Sequence, residues 1–286
     1  MQEIAPHVNI ETTYAGVTLA AINWPHGLIL IDSPFRPDDT RSWRSALLNL
    51  GGGVDRLMIN LDGHFDRTLG ARAMDCTVLG HEKMAQVFRN RPVTFKVQSA
   101  ETGAEWELYN GMGSIRWAPP EVTFTQQMTI HWDSSPLVLE YHPGPSVGAI
   151  WAILPEQHIV FLGDAIMPDQ PPFLANADVP AWIDTLQELS SPTYQDYLLV
   201  GGRGGLIPQE LIHRQITYLN RVNQLLEPLA ERKADPEETE KLVPSLLKGL
   251  SVPSDRELQY QQRLHWGLYQ YYLRHYHSAD AEIVEE

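Results

Sequence analysis

The chain has 286 residues, 43% of them hydrophobic and 20% charged, which is typical of a globular protein with one large domain or two small ones. Its formal net charge of -15 argues against partners that are nucleic acids or anionic membranes, because both attract clusters of Lys and Arg. The sequence has no membrane-length apolar run, no secretory pattern at its N-terminus and one cysteine, Cys76, and we therefore expect a cytoplasmic protein.

Short apolar runs separated by Gly, Pro and Asp dominate the first two thirds of the chain. They predict strands at residues 17–23, 27–32, 56–61, 76–79, 128–131, 137–141, 149–154, 158–162 and 197–200. Helical spacing predicts helices at 43–50, at 68–74, between residue 180 and the strand at 197–200, and over almost all of the chain beyond residue 208. The irregular stretch 101–120 is predicted to be a long loop that covers a pocket.

The most informative motif is Asp62-Gly63-His64-Phe65-Asp66-Arg67, which lies between a predicted strand and a predicted helix. Carboxylate and imidazole side chains at alternate positions on such a loop can converge on one point, as they do in metal sites. Arg67 stands where a further ligand is expected, and a guanidinium has no free lone pair for a metal. The motif therefore predicts either a metal site or a site that has lost its metal.

Three further segments place polar residues after predicted strands, namely His142–Gly148, Gly163-Asp164 and the glycine-rich turn around Arg203. With the first motif, their order and spacing resemble the metallo-β-lactamase fold superfamily over about residues 8–205. This resemblance implies an α/β (α+β) fold, an αββα sandwich, with a metallo-β-lactamase-like domain at residues 1–207. The helical segment 208–286 resembles the C-terminal extension of some members and is expected to pack on that domain.

The resemblance also shows how the metal-binding motifs differ from those of the family. The family's first motif is His-x-His-x-Asp-His, whereas here Asp62 replaces the first histidine and Arg67 the last. The histidine of the Pro-Gly-His motif is replaced by Pro145, and the last histidine is replaced by Arg203. The bridging aspartate is present as Asp164. Four of the metal-binding histidines of the family are therefore missing.

The resemblance places Arg67 and Arg203 at the second metal position, where their positive charges would repel a divalent cation. Each guanidinium offers a planar fork that suits carboxylates, so we expect these arginines to pair with Asp66 and Asp164 in a buried network. Asp66, Arg67 and Arg203 are the candidate catalytic or ligand-contacting residues.

The first metal position remains open from the sequence alone. Asp62, His64 and Asp164 could ligate a single Zn, Mn or Fe ion. Alternatively, His64 is a hydrogen-bonded relic, Asp62 caps the turn at Gly63, and the site holds no metal. Asp32, which follows another predicted strand, is expected to fix a loop by accepting hydrogen bonds from backbone amides.

A competing motif, Gly144-Pro145-Ser146-Val147-Gly148, matches the nucleophile elbow of α/β-hydrolases. That elbow requires a helix after the serine, whereas residues 149–154 predict a strand.

Two functions remain. One is a non-catalytic or ligand-binding protein, with a small molecule or an anion as its ligand; the other is a mononuclear metal-dependent hydrolase of an ester, thioester, amide or phosphoester. The oligomeric state stays open, with a homo-oligomer compatible with the sequence.

Overall fold

The computed structural model describes residues 1–92, 94–96, 102–109 and 112–277. The strands are β1 (Gln2–Ala5), β2 (Val8–Glu11), β3 (Leu19–Asn23), β4 (Gly27–Ile31), β5 (Asp55–Ile59), β6 (Thr77–His81), β7 (Thr94–Lys96), β8 (Ser114–Arg116), β9 (Val122–Phe124), β10 (Gln127–Ile130), β11 (Leu137–Tyr141), β12 (Ile150–Leu154), β13 (Ile159–Phe161), β14 (Leu198–Gly201) and β15 (Gly205–Ile207). The α-helices are α1 (Pro37–Leu47), α2 (Phe65–Thr68), α3 (Glu82–Asn90), α4 (Val179–Leu189), α5 (Glu210–Glu231), α6 (Val243–Leu247) and α7 (Glu257–Tyr272). None of the helices in these ranges is long and apolar enough to cross a membrane.

Two mixed sheets form the centre of the protein. The first has the order β1-β2-β3-β4-β5-β6-β9 and the second has the order β10-β11-β12-β13-β14-β15, while β7 and β8 form a separate ribbon. Strands β4, β5, β6 and β9 are parallel, as are β13 and β14. Parallel neighbours need crossover connections, and helices α1 and α4 lie in two of these connections.

The two sheets pack face to face around one apolar cluster. Ile29 and Ile31 of β4 contribute to it from the first sheet, and Ile159 and Phe161 of β13 contribute from the second. Successive residues of a strand point to opposite faces, so the intervening residues must be covered elsewhere. Val160, for example, belongs to a second cluster on the far side of its sheet. The sandwich is therefore hydrophobic on all four sheet faces.

Helices cover the two outer faces. On the first sheet, Trp43 and Leu47 of α1 pack with Leu28 and Leu30 of β4. On the second sheet, one apolar cluster joins residues of β12 to β15 with the inner faces of α4, α5, α6 and α7. The helices beyond residue 207 thus share their core with the second sheet, although the proposed domain boundary at that residue stays a prediction.

The structure confirms the α/β class that the sequence predicted. All nine predicted strands agree with it to within two residues at each end, but β1, β2, β7, β8, β9, β15 and helix α3 were not predicted. The helix predicted at 43–50 instead begins at Pro37, because proline and the acidic Asp38 and Asp39 favour a first helical turn. The helix predicted at 68–74 is two elements, α2 and a 3₁₀ turn at Ala71–Met74.

The prediction of a continuous loop at 101–120 is wrong in part. A 3₁₀ turn spans Glu105–Leu108, and strand β8 pairs with β7, placing Ile115 opposite Phe95. This pairing joins segments that are about twenty residues apart, which the local sequence pattern does not reveal. Residues 101, 110 and 111 of the predicted loop lie outside the described residues.

The topology brings the polar motifs to one edge of the sandwich. Asp32 directly follows β4, and the Asp62 motif follows β5 in the same sheet. Asp164 follows β13, and Arg203 follows β14 in the other sheet. Both strand pairs are parallel, and the carboxyl ends of parallel strands are where α/β proteins place their sites.

We predict that Leu268→Ala will lower the free energy of unfolding by about 2–5 kcal/mol, because this α7 side chain is fully buried in the cluster of the second sheet. The matched control is Leu258→Ala on the same helix, where the side chain is exposed and the expected change is below about 0.5 kcal/mol. Chemical denaturation should show one cooperative transition. A separate transition for the C-terminal helices would contradict the shared core.

Candidate functional site

Arg67 lies at the centre of a buried ion-pair network at this edge. It stands on the short helix α2, which begins directly after the strand-end loop, and its side chain is completely buried. Its guanidinium nitrogens lie 3.0 Å from an oxygen of Asp32 and 3.0 Å from an oxygen of Asp62, and they also contact Asp164. One guanidinium therefore contacts carboxylates from three strand ends in both sheets.

Arg203 forms the second half of the network from the turn between β14 and β15. Its Nε lies 3.2 Å from an oxygen of Asp164, and its Nη1 donates to Asp66 Oδ2 at 2.9 Å. The guanidinium also lies over the ring of Phe173, with its central carbon 4.9 Å from the ring centroid. Asp164 thus bridges the two arginines, which both point into the same buried space.

Asp66 connects the network to the segment 102–109. Its two carboxylate oxygens accept hydrogen bonds from the backbone amides of Glu105, at 3.1 Å, and Trp106, at 2.9 Å. Glu105 in turn accepts two hydrogen bonds from Arg256, each at 2.8 Å, and one from Gln259 at 3.2 Å. The N-terminal part of α7 therefore holds this segment against the site.

Asp32 is tied to both the backbone and Arg67. It adopts a left-handed backbone conformation with φ of 59°, and its Oδ1 accepts from the amide of Leu61 at 3.0 Å. Burial raises the pKa of Asp32 to about 7, with Asp62 adding to the rise and Arg67 opposing it. The predicted loop-fixing role agrees with these contacts, but the ion pair with Arg67 was not predicted.

His64 is buried and neutral. Its Nδ1 accepts from the amide of Asp66 at 3.3 Å, which caps helix α2, and faces Arg203 Nη2 at 3.2 Å. Burial, followed by the positive charge of Arg203, lowers the pKa of His64 well below its ordinary value. The proton of the neutral ring is therefore on Nε2, and this atom has no hydrogen-bond partner among the described residues.

The other carboxyl groups respond differently to burial. Burial raises the pKa of Asp62 and of Asp66, although the neighbouring arginines oppose this effect. For Asp164, burial also favours the neutral form, but Arg203 and Arg67 together outweigh it and lower the pKa of this residue. The two guanidinium groups therefore favour the ionised form of Asp164.

The residues present do not fit a metal ion. Within the described ranges, no group of three or more His, Cys, Asp or Glu side chains is placed to hold one. Asp62 and Asp164 both face Arg67, and His64 Nδ1 faces Arg203, so the lone pairs of this set are directed at guanidinium groups. Metal binding by Asp62, His64 and Asp164, one of the two alternatives that the sequence left open, stays a prediction.

The predicted ion pairs are found only in part. Arg203 pairs with Asp66 and Asp164 as expected, whereas Arg67 pairs with Asp164, Asp62 and Asp32 rather than with Asp66. The reason is geometric, because Asp66 is directed towards the amides of segment 102–109. Asp62 also accepts from the amide of His64 at 2.9 Å, in agreement with its proposed capping role.

Several contributors to the site were missed. Phe173 lies against both the ring of His64, at 4.3 Å between centroids, and the guanidinium of Arg203. Arg263 of α7 lies on the same phenyl ring at 4.1 Å and donates to the carbonyl of Gly103. These residues are far from the motifs in sequence, and only an unexplained arginine in an apolar helical stripe could have indicated Arg263.

No protein-family model matches the sequence, and no curated protein is significantly similar to it. Solved structures do match. A metallo-β-lactamase family protein from Thermus thermophilus is 16% identical, with 95% of this chain and 94% of that chain covered and a TM-score of 0.63. A metallo-β-lactamase from Pontibacter korlensis is 18% identical, with 77% and 97% covered and a TM-score of 0.59.

The chain has the metallo-β-lactamase fold. The 95% coverage by the Thermus protein necessarily includes most of the C-terminal helices. A stereoselective inverting sec-alkylsulfatase from Pseudomonas sp. is 13% identical, with a TM-score of 0.69 over 96% of this chain, but the chain spans only 49% of that enzyme. At such identities the likeness concerns the fold, and the chemistry must be inferred from the site itself.

We predict that Arg203→Ala will lower the free energy of unfolding by about 3–5 kcal/mol, because it leaves Asp66 and Asp164 buried with less compensation. The matched control is Arg214→Ala, which removes an exposed ion pair with Asp169 and should cost no more than about 1 kcal/mol. Urea denaturation of both variants measures the difference. Equal, small effects would place Arg203 outside the buried network.

A second prediction concerns pH. The unfolded chain binds a proton at His64 below about pH 6.5, whereas the folded chain does not, so this residue contributes stability that is lost as pH falls. Asp32 contributes with the opposite sign, because its raised folded pKa gives stability that is lost as pH rises towards about 7.

Comparison of the wild type with His64→Gln isolates the histidine, since Asp32 titrates in both proteins. The decrease in the free energy of unfolding from pH 7 to pH 5 should be about 2 kcal/mol smaller in the variant. Denaturant titrations at the two pH values measure it. The same pH dependence in both proteins would show that His64 accepts a proton in the folded state.

Proposed function

We propose that this chain is a non-catalytic, ligand-binding protein of the metallo-β-lactamase fold, in which an arginine–aspartate network replaces the metal centre. The observation that carries the proposal is the position of the Arg67 guanidinium. It contacts both Asp62 and Asp164, the carboxylates that a metal at the first position would need. The positive charge that a cation would supply is therefore already provided by the chain.

Electrostatics supports the replacement. A metal ion bound by Asp62 and Asp164 would have to displace a guanidinium that is held by three carboxylates. Displacing it would either leave a buried arginine unpaired or place it beside a divalent cation, and both arrangements cost several kcal/mol. Arg203 adds a second positive charge next to Asp164.

The closed surroundings also support the absence of hydrolysis at this point. Every side chain of the network is buried, and the most exposed of them, His64, has 7% of its surface accessible. Segment 102–109 lies against Asp66 and is held there by Arg256 at the start of α7. A hydrolase must admit both a substrate and a water molecule to the reacting position, and these contacts leave little room for either.

The alternative is a mononuclear metal-dependent hydrolase. The specific observation in its favour is His64 Nε2, a buried nitrogen without a partner among the described residues, on the same loop as Asp62. A rearrangement that moved Arg67 aside could let these two side chains and Asp164 receive one ion, which would activate water for attack on an ester or phosphoester.

Metal analysis of native protein purified without chelator tests the proposal. We expect far less than one Zn, Mn or Fe ion per chain, before and after incubation with these metals. Turnover of nitrophenyl esters, phosphoesters and sulfate esters should not exceed the background. Stoichiometric metal together with activity, both lost in His64→Ala and Asp62→Ala, would establish the hydrolase instead.

A reconstruction variant provides a positive arm for the same experiment. The double variant Arg67→His with Arg203→His places histidines at the positions where the metallo-β-lactamase superfamily carries them. It should raise zinc uptake above that of the wild type. The matched control is Arg41→His with Arg232→His, which adds two histidines at exposed sites. No gain of zinc by a folded reconstruction variant would count against the motif alignment.

A further inference from the structure

Helices α5 and α6 border an open cleft of about 740 Å³ that shares no residue with the arginine–aspartate network. This volume lies within the range of small-molecule sites. The described residues that line the cleft include His213, Arg214 and Arg221 of α5, and Lys248 at the end of α6. The cleft is therefore a separate concave surface on the C-terminal helices.

The charge of the cleft is opposite to that of the protein. The whole chain has 36 acidic residues against 21 Lys and Arg, yet no carboxylate is among the described residues that line this cleft. Arg221 donates to the neutral hydroxyl of Ser245 at 3.2 Å, so its charge is not compensated there. Arg214 lies 3.3 Å from Asp169, which neutralises one of the three cations.

The inner end of the cleft offers two further hydrogen-bond donors. A small cavity of about 60 Å³ shares Arg214 and Tyr218 with the cleft and is also lined by Gln215 and by Asp169, the ion-pair partner of Arg214. The hydroxyl of Tyr218 and the Nε2 of Gln215 are buried, and neither has a hydrogen-bond partner among the described residues. Burial raises the pKa of Tyr218, so the hydroxyl keeps its proton and can donate a hydrogen bond.

Unpartnered buried donors are uncommon in folded proteins, because each is costly to leave without a hydrogen bond. Here they lie behind a rim of cationic groups, and every one of these groups donates hydrogen bonds. A ligand rich in acceptor oxygens and negative charge would satisfy both sets at once. An apolar or cationic ligand would leave the donors unpaired and the positive charges uncompensated.

We propose that the cleft between α5 and α6 binds a small multivalent anion that carries phosphate or carboxylate groups. Arg221 and Lys248 attract the ligand at the rim, and the Tyr218 hydroxyl donates to one of its oxygens at the inner end. The site is independent of the network around Arg67, so it holds whether or not that network binds a metal.

Isothermal titration calorimetry of the full chain at physiological salt tests this site, with pyrophosphate, inorganic phosphate and citrate as probes. We expect saturable binding of at least one of them. Tighter binding of pyrophosphate than of citrate would identify phosphate compounds as the natural class, and the reverse order would identify polycarboxylates. No saturable binding of any of the three at millimolar concentration would overturn the proposal.

Substitutions locate the binding. Arg221→Gln with Lys248→Gln should weaken it about tenfold or more, because two charged donors are lost. The matched control, Arg72→Gln with Arg89→Gln, changes the net charge equally at exposed positions elsewhere and should leave the affinity unchanged. Equal weakening in both double variants would show non-specific attraction and would overturn the site.

Tyr218→Phe separates a ligand contact from a structural role. It removes a hydroxyl that has no partner among the described residues of the unliganded protein, so the melting temperature should be unchanged or slightly higher. The affinity for the anion should nevertheless fall about threefold or more. Unchanged affinity in this folded variant would exclude the inner donors from the site.

Discussion

The burial of Arg67 is the constraint on which the rest of the site depends. A guanidinium with no exposed surface is tolerated only when carboxylates surround it, because transferring an ion from water costs several kcal/mol. Asp32, Asp62 and Asp164 meet this requirement, and they come from the ends of strands in both sheets. The same ion pairs that compensate the arginine therefore also join the two halves of the sandwich at its polar edge.

The network extends beyond the sandwich through Asp66. This aspartate is shared between Arg203 and two backbone amides of segment 102–109, which Arg256 and Gln259 at the start of α7 hold from the other side. Asp66 is therefore connected to the C-terminal helices through Glu105, which accepts hydrogen bonds from Arg256 and Gln259. The helical extension therefore covers the second sheet and also holds segment 102–109 against the buried network.

The fold of this protein is shared with solved structures, but the residues of its polar edge are its own. The sandwich matches solved structures of metallo-β-lactamase family proteins at 16–18% identity and of a sec-alkylsulfatase at 13%, so the fold is shared although few residues are identical. A fold of this kind positions strand ends, but the residues at those ends decide what the site can do. At the edge of this sandwich, two of those residues are the buried arginines Arg67 and Arg203, whose fixed charges are paired with aspartates.

The sequence by itself predicted the central strands, because alternating apolar runs are local patterns. The fold class and the convergence of Asp62, His64, Asp164 and Arg203 followed from the resemblance of the strand-end motifs to the metallo-β-lactamase fold superfamily. It also predicted the pairing of Arg203 with Asp66 and Asp164. Only the tertiary structure decided that Arg67 pairs with Asp32, that backbone amides of segment 102–109 donate to Asp66, and that α5 and α6 border a basic cleft. These contacts join residues that are tens of positions apart, and their geometry depends on how the strands and helices pack, which no local pattern encodes.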